Sequence, residues 1–117
     1  MLRTMLRAKV TGLIVTDKKL YYKGSITLDE DLLEKADILP GEQVEVLNLN
    51  NAERFTTYTI TGKRGSGCAV LNGPAARLGE VGDKIIVLCY GLADSAEAPR
   101  VKPRVVQAGE GNKLKRK

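Results

Sequence analysis

The chain has 117 residues, with 19 Lys plus Arg against 14 Asp plus Glu and a formal net charge of +5 at pH 7. It contains no His and no Trp, two Cys and four Tyr, which excludes His-ligated zinc and Ser-His or Cys-His nucleophile pairs. That length supplies one modest core and therefore one domain.

The opening segment, Met1-Leu2-Arg3-Thr4-Met5-Leu6-Arg7, is basic but lacks the apolar run of a secretory signal. No stretch approaches the ~20 apolar residues of a membrane span. Strands are predicted over Leu6 to Thr16, Leu20 to Tyr22 and Ser25 to Leu28, where Val, Ile, Leu, Thr and Tyr cluster between Gly, Asn and Asp. A helix follows, with Thr27 and Glu30 at capping-box spacing, apolar Leu28, Leu32, Leu33 and Ala36, and a stop at Leu39-Pro40-Gly41. Further strands are predicted over Gln43 to Asn48 and Arg54 to Thr61, where alternation puts one face in the core. Gly67 to Leu71, Lys84 to Tyr90 and a weaker Arg100 to Gln107 complete the set. A second short helix spans about Pro74 to Leu78, with Pro74 suited to its first position and Gly79 to its stop. The fold class is mainly β, a small closed barrel with two short helices, in one domain over residues 1–108.

Cys68 and Cys89 match no CxxC spacing and sit in apolar runs, so both are expected as buried, reduced thiols with no metal. The expected compartment is the cytoplasm. Residues 109–117 hold four bases and one acid and are expected to form a disordered basic tail.

Gly24-Ser25, set between two short β-like runs, reads by itself as a tight turn. Its company is more specific. Met1-Leu2-Arg3-Thr4-Met5-Leu6, Tyr22-Lys23-Gly24-Ser25, Arg54-Phe55-Thr56-Thr57-Tyr58, Arg64-Gly65-Ser66-Gly67 and Asn72-Gly73-Pro74-Ala75-Ala76 occur in that order. Over residues 1 to about 105 the chain thus resembles the pyruvoyl-dependent L-aspartate α-decarboxylases.

The resemblance implies a double-psi β-barrel and a precursor that cuts itself between Gly24 and Ser25, giving pieces 1–24 and 25–117. The Ser25 hydroxyl would attack the Gly24 carbonyl, and elimination and hydrolysis would leave a pyruvoyl group in place of Ser25. This covalent cofactor would form a Schiff base with L-aspartate and accept the electrons released with carbon dioxide, the role of an electron sink. The product, β-alanine, would feed pantothenate and coenzyme A synthesis. The cleavage strains a peptide, so glycine's freedom at Gly24 is expected to matter.

By the same resemblance Tyr58 is the proton donor and Arg54 the residue for a substrate carboxylate, which its planar fork suits. Thr57 lies beside the cleavage point, and Lys9 is a basic residue near the site. Asn72, Gly73, Pro74 and Ala75 form a substrate-holding turn, while Tyr22 is a pocket wall or strand core. Arg54 and Tyr58 share parity on a strand and Thr57 opposes them. Either the strand is irregular there or Thr57 acts through its backbone. Two departures stand out. Thr11 occupies a position where many members have His, and Pro74 replaces an Ala and removes an amide donor.

The resemblance also implies a homotetramer with sites between subunits, and it leaves open whether a maturation partner assists cleavage. The alternative reading is a small basic barrel that binds RNA through Lys, Arg and the tail. Aromatics make up only 4% of the chain, too few for a good stacking platform, so nucleic acid is the disfavoured partner. The charge is concentrated upstream of the proposed cut, where residues 1–24 hold six bases and one acid.

Overall fold

The computed structural model describes residues 1–114. Eight strands and one α-helix follow in the order β1 (Leu2–Ile14), β2 (Asp17–Lys19), β3 (Ser25–Asp29), α1 (Glu30–Ala36), β4 (Gln43–Asn48), β5 (Arg54–Gly62), β6 (Ala69–Asn72), β7 (Lys84–Asp94) and β8 (Arg104–Gln107). Short 3-10 turns cover Gly73–Arg77, Ala98–Arg100 and Glu110–Asn112. The class is mainly β, as expected.

The strands hydrogen-bond in the order β2-β6-β3-β5-β4-β7-β1-β8. β1 and β2 stand near opposite ends of that order, yet only Val15 and Thr16 separate them in sequence. Val15 N donates to Asp83 O just before β7, and Thr16 N donates to Ala69 O on β6, both at 2.9 Å. A sheet whose two ends are joined by two residues has to roll up, and it encloses its inner face as a small barrel does. Alternation supplies that face: Ala8 and Val10 on β1, Val44 and Val46 on β4, and Ile85, Val87 and Cys89 on β7 are all buried. Leu32 and Leu33 of α1 close one side of the core.

Several local expectations give way to longer-range contacts. The cap of α1 is Asp29, and Thr27 belongs to β3. Asp29 is 1% exposed, and its carboxylate accepts from Asp31 N at 2.8 Å, Gly65 N at 3.0 Å and Gly67 N at 2.8 Å. The Arg64-Gly65-Ser66-Gly67 motif is thereby a brace for α1, with Arg64 also paired to Asp31 at 2.5 Å and Glu34 at 2.6 Å. The strand predicted over residues 20–22 is a turn, and the short strand lies earlier, at Asp17–Lys19. Pro74 does sit in the first turn of a helix, but a 3-10 one. Cys89 is buried and its thiol is pushed up to about 11 by burial, whereas Cys68 is half-exposed; both are free.

The disordered tail expected from residue 109 does not hold through Leu114. Asn112 is 1% exposed and accepts from Ile14 N at 2.8 Å while donating to Ile14 O and Gly67 O. A buried side chain that satisfies three backbone groups pins its segment. The remaining tail, residues 115–117, lies outside the described residues.

Asp29 carries a stability prediction. Burial pushes its pKa up, but the N–H groups of Gly67, Asp31 and Gly65 and the nearby Arg64 pull it below the ordinary value. A lowered folded value means the contribution is present in full above the unfolded aspartate range and is lost as pH falls through the folded value. Asp29→Ala is expected to cost about 1–3 kcal/mol in urea unfolding at pH 7, since it orphans a cap and a buried N–H. The deficit should shrink in acid, where the native carboxyl is protonated as well.

Candidate active site

Ser25 opens β3 directly opposite Asn72, the last residue of β6. It is fully buried. Its Oγ accepts from Asn72 Nδ2 at 2.9 Å and donates to Lys23 O at 3.3 Å. Asn72 Nδ2 also donates to Thr27 Oγ1 at 2.9 Å, so the amide that holds Ser25 is itself fixed, and its 1% exposure keeps bulk water away. This places a desolvated hydroxyl, oriented by two partners, next to the Gly24–Ser25 peptide.

The turn at residues 22–24 rests on Gly73. That glycine has φ +64°, and a Cβ on it would lie 2.4 Å from Tyr22 O, 2.8 Å from Gly24 N and 2.9 Å from Gly24 Cα. Gly24, by contrast, is not among the positive-φ residues, and a Cβ there would meet only Pro74 Cδ at 3.5 Å, an ordinary contact. The need for glycine's freedom therefore falls on Gly73, contrary to the expectation for Gly24. Gly73→Ala should displace the 22–24 turn and slow or stop cleavage. If the parent chain is cut at Gly24–Ser25, SDS gel analysis over days should show two bands for it and one for the purified variant.

A cavity of about 340 Å³ adjoins this turn, bordered by Gly24, Phe55, Thr56, Thr57, Tyr58, Pro74, Ala75 and Leu78. Its volume lies in the range of small-molecule sites. The register explains why four consecutive residues of β5 reach it. Parallel pairing of β3 with β5 begins at Ile26 with Thr59, so the edge of β5 before Thr59 has no strand beside it. The cavity fills that gap. Exposure along β5 alternates regularly, with Arg54, Thr56 and Tyr58 outward and Thr57 inward. The regular alternation removes the irregular-strand alternative for Thr57, and the open strand edge keeps its backbone as a route to the cavity.

Tyr58 is 39% exposed and its hydroxyl makes no hydrogen bond to a described residue. Tyr22 is in an exposed turn, neither strand core nor a border of this cavity; only its carbonyl engages the site, against Gly73. Lys9 and Arg54 do not border the cavity. Lys9 lies across from Leu88 on β1 and β7. Arg54 turns along the outer face toward β4 and β7, where Nε donates to Glu45 and Nη2 donates to Tyr90 Oη at 3.3 Å. Thr11 pairs with Gln107 of β8. Glu45, Tyr90 and Thr27 were absent from the expected site. None carries a local motif, and strand register alone brings them to Arg54 and Asn72.

Comparison with known proteins agrees with the ordered motifs. The family model described as aspartate decarboxylase matches residues 1–115. A protein of Thermoanaerobacter pseudethanolicus named aspartate 1-decarboxylase is 53% identical over 113 residues, covering 97% of this chain and 97% of that protein. The aspartate 1-decarboxylase of Carboxydothermus hydrogenoformans is 49% identical over 97% of this chain and 90% of its own length. That of Pelotomaculum thermopropionicum is 50% identical over 97% and 86%.

Proposed function

The chain belongs to the aspartate decarboxylase family, so it is a decarboxylase of L-aspartate, and we propose that its electrophile is a pyruvoyl group made from its own Ser25. The observation that carries this is the buried Ser25 hydroxyl, held by Asn72 and Lys23 O beside the Gly24–Ser25 bond. The surroundings fit such a group. Its site is closed to bulk water, Asn72 Nδ2 is a ready donor to an oxygen there, and the 22–24 turn is seated on Gly73.

In maturation Ser25 Oγ bonds to the Gly24 carbonyl carbon, and the Gly24–Ser25 C–N bond breaks to leave an ester and a free amine. Loss of the Ser25 α-proton expels the Gly24 carboxylate and leaves a dehydroalanine, whose hydrolysis by one water releases ammonia. The product pieces are 1–24 and 25–117. β1 remains paired to β7 along its length and β2 to β6, so the upstream piece stays in the fold after the cut.

Once present, the pyruvoyl group supplies a ketone for the substrate amine and a conjugated carbonyl that takes up the electrons left by carbon dioxide. The chain's own residues do the rest. Arg54 binds a substrate carboxylate through its fork. Tyr58, whose hydroxyl at the cavity edge bonds to no described residue, delivers a proton to the substrate carbon. Thr57 and the turn of Gly73, Pro74 and Ala75 shape the cavity and hold the substrate. Pro74 has no N–H, so Gly73 and Ala75 are the amide donors there. Lys9 adds positive charge toward the dicarboxylate. β-Alanine, the product, is used for pantothenate and coenzyme A.

The working form is a homotetramer with sites between subunits, in the cytoplasm. Support comes from the separation within one copy of Arg54 and Lys9 from the Gly24 cavity, and from outward, half-buried Leu47 and Ile86 on the face of Arg54. Among the described residues no helix is long and apolar enough to cross a membrane. Intact-mass measurement during warm incubation, paired with a β-alanine assay and size determination, tests the whole reading. One uncut, inactive chain that stays so with cell extract added would overturn it.

A further inference from the structure

The outer face of the sheet holds Arg54 more firmly than a solvent-facing arginine requires. Nε donates to Glu45 on β4, and Nη2 donates to Tyr90 Oη on β7 at 3.3 Å. Register creates the clamp. Leu47 is across from Arg54, and Glu45 is across from Leu88, so the Arg54 side chain runs diagonally over β4 toward Tyr90. The Glu45 carboxylate, 26% exposed, makes no other hydrogen bond to a described residue.

An arginine has five N–H donors in a fixed plane. Glu45 takes the Nε hydrogen and Tyr90 one on Nη2. The terminal edge, with Nη1 and the second Nη2 hydrogen, is unbonded to any described residue. That edge can grip a carboxylate through two parallel bonds. We propose that Glu45, assisted by Tyr90, is a positioning residue that presents the terminal edge of Arg54 to a substrate carboxylate. The proposal rests on the reading of Arg54 as the carboxylate-binding residue.

Two effects oppose each other. Glu45 offsets the charge of Arg54, which weakens attraction for an anion, and it fixes a long flexible side chain, which strengthens binding. In one copy Arg54 is 52% and Glu45 26% exposed, so solvent reaching Arg54 screens the first effect and orientation wins.

Cleaved protein gives the test. Glu45→Ala is expected to raise KM for aspartate about tenfold with kcat within twofold, the pattern of lost uniform binding. Glu45→Gln, whose amide oxygen still accepts from Nε, should recover most of that loss, and Tyr90→Phe should raise KM about two- to threefold. In an Arg54→Lys background, which has no fork to position, Glu45→Ala should change KM less than about twofold. If Arg54→Lys alone leaves KM unchanged, the reading of Arg54 fails. If Arg54→Lys raises KM but Glu45→Ala does not, or if its effect persists undiminished in the lysine background, the positioning role is overturned. Should Glu45→Ala not fold, Tyr90→Phe and Glu45→Gln decide: both at the parental KM overturn the proposal.

Discussion

Ser25→Ala is expected to leave a single uncut chain that forms no β-alanine. The change removes the hydroxyl proposed to attack the Gly24 carbonyl, so on that reading maturation has no route and decarboxylation no electrophile. The fold should survive. Asn72 Nδ2 loses one acceptor but keeps Thr27 Oγ1, so the stability cost is expected at about 1 kcal/mol. Intact mass, β-alanine production and a urea melt on the same sample separate the outcomes. A cut chain, or activity without a cut, would count against Ser25 as the source of the electrophile.

Tyr58→Phe is expected to cut normally yet lose on the order of 10²- to 10⁴-fold in kcat, the span of one positioned proton transfer. The reason lies in what the hydroxyl does not do. It bonds to no described residue, and the ring is only partly covered at 39% exposure, so Phe keeps the packing and removes the proton alone. KM should change little, because the lost interaction belongs to the transition state. Unchanged kcat would return Tyr58 to a packing role and require another donor at the cavity.

Both predictions concern residues found within short runs of sequence, and that is why they were legible. Gly24-Ser25, Arg54 to Tyr58 and Asn72 to Ala75 each form a local motif, and the fold brings the first with Thr57, Tyr58 and the last to one cavity. The strand alternation around Val44, Val46, Ile85 and Val87 was equally readable, because burial on one face repeats every second residue. Local spacing misled where a distant partner competed. Thr27 and Glu30 have capping-box spacing, but Asp29 caps α1 because the amides of Gly65 and Gly67 reach it from beyond β5.

By itself, then, the sequence determined the mainly-β class and the family and singled out the Gly24-Ser25 turn proposed for cleavage, since composition, period-two patterning and contiguous motifs are properties of neighbours in the chain. Tertiary structure alone decided the rest. It moved the demand for glycine from Gly24 to Gly73, opened a cavity at the unpaired edge of β5, tied Asn112 to Ile14 and Gly67, and set Glu45 and Tyr90 around Arg54. Those contacts join residues far apart in sequence through strand register and the rolling of the sheet, and neither leaves a signature in any single run of residues.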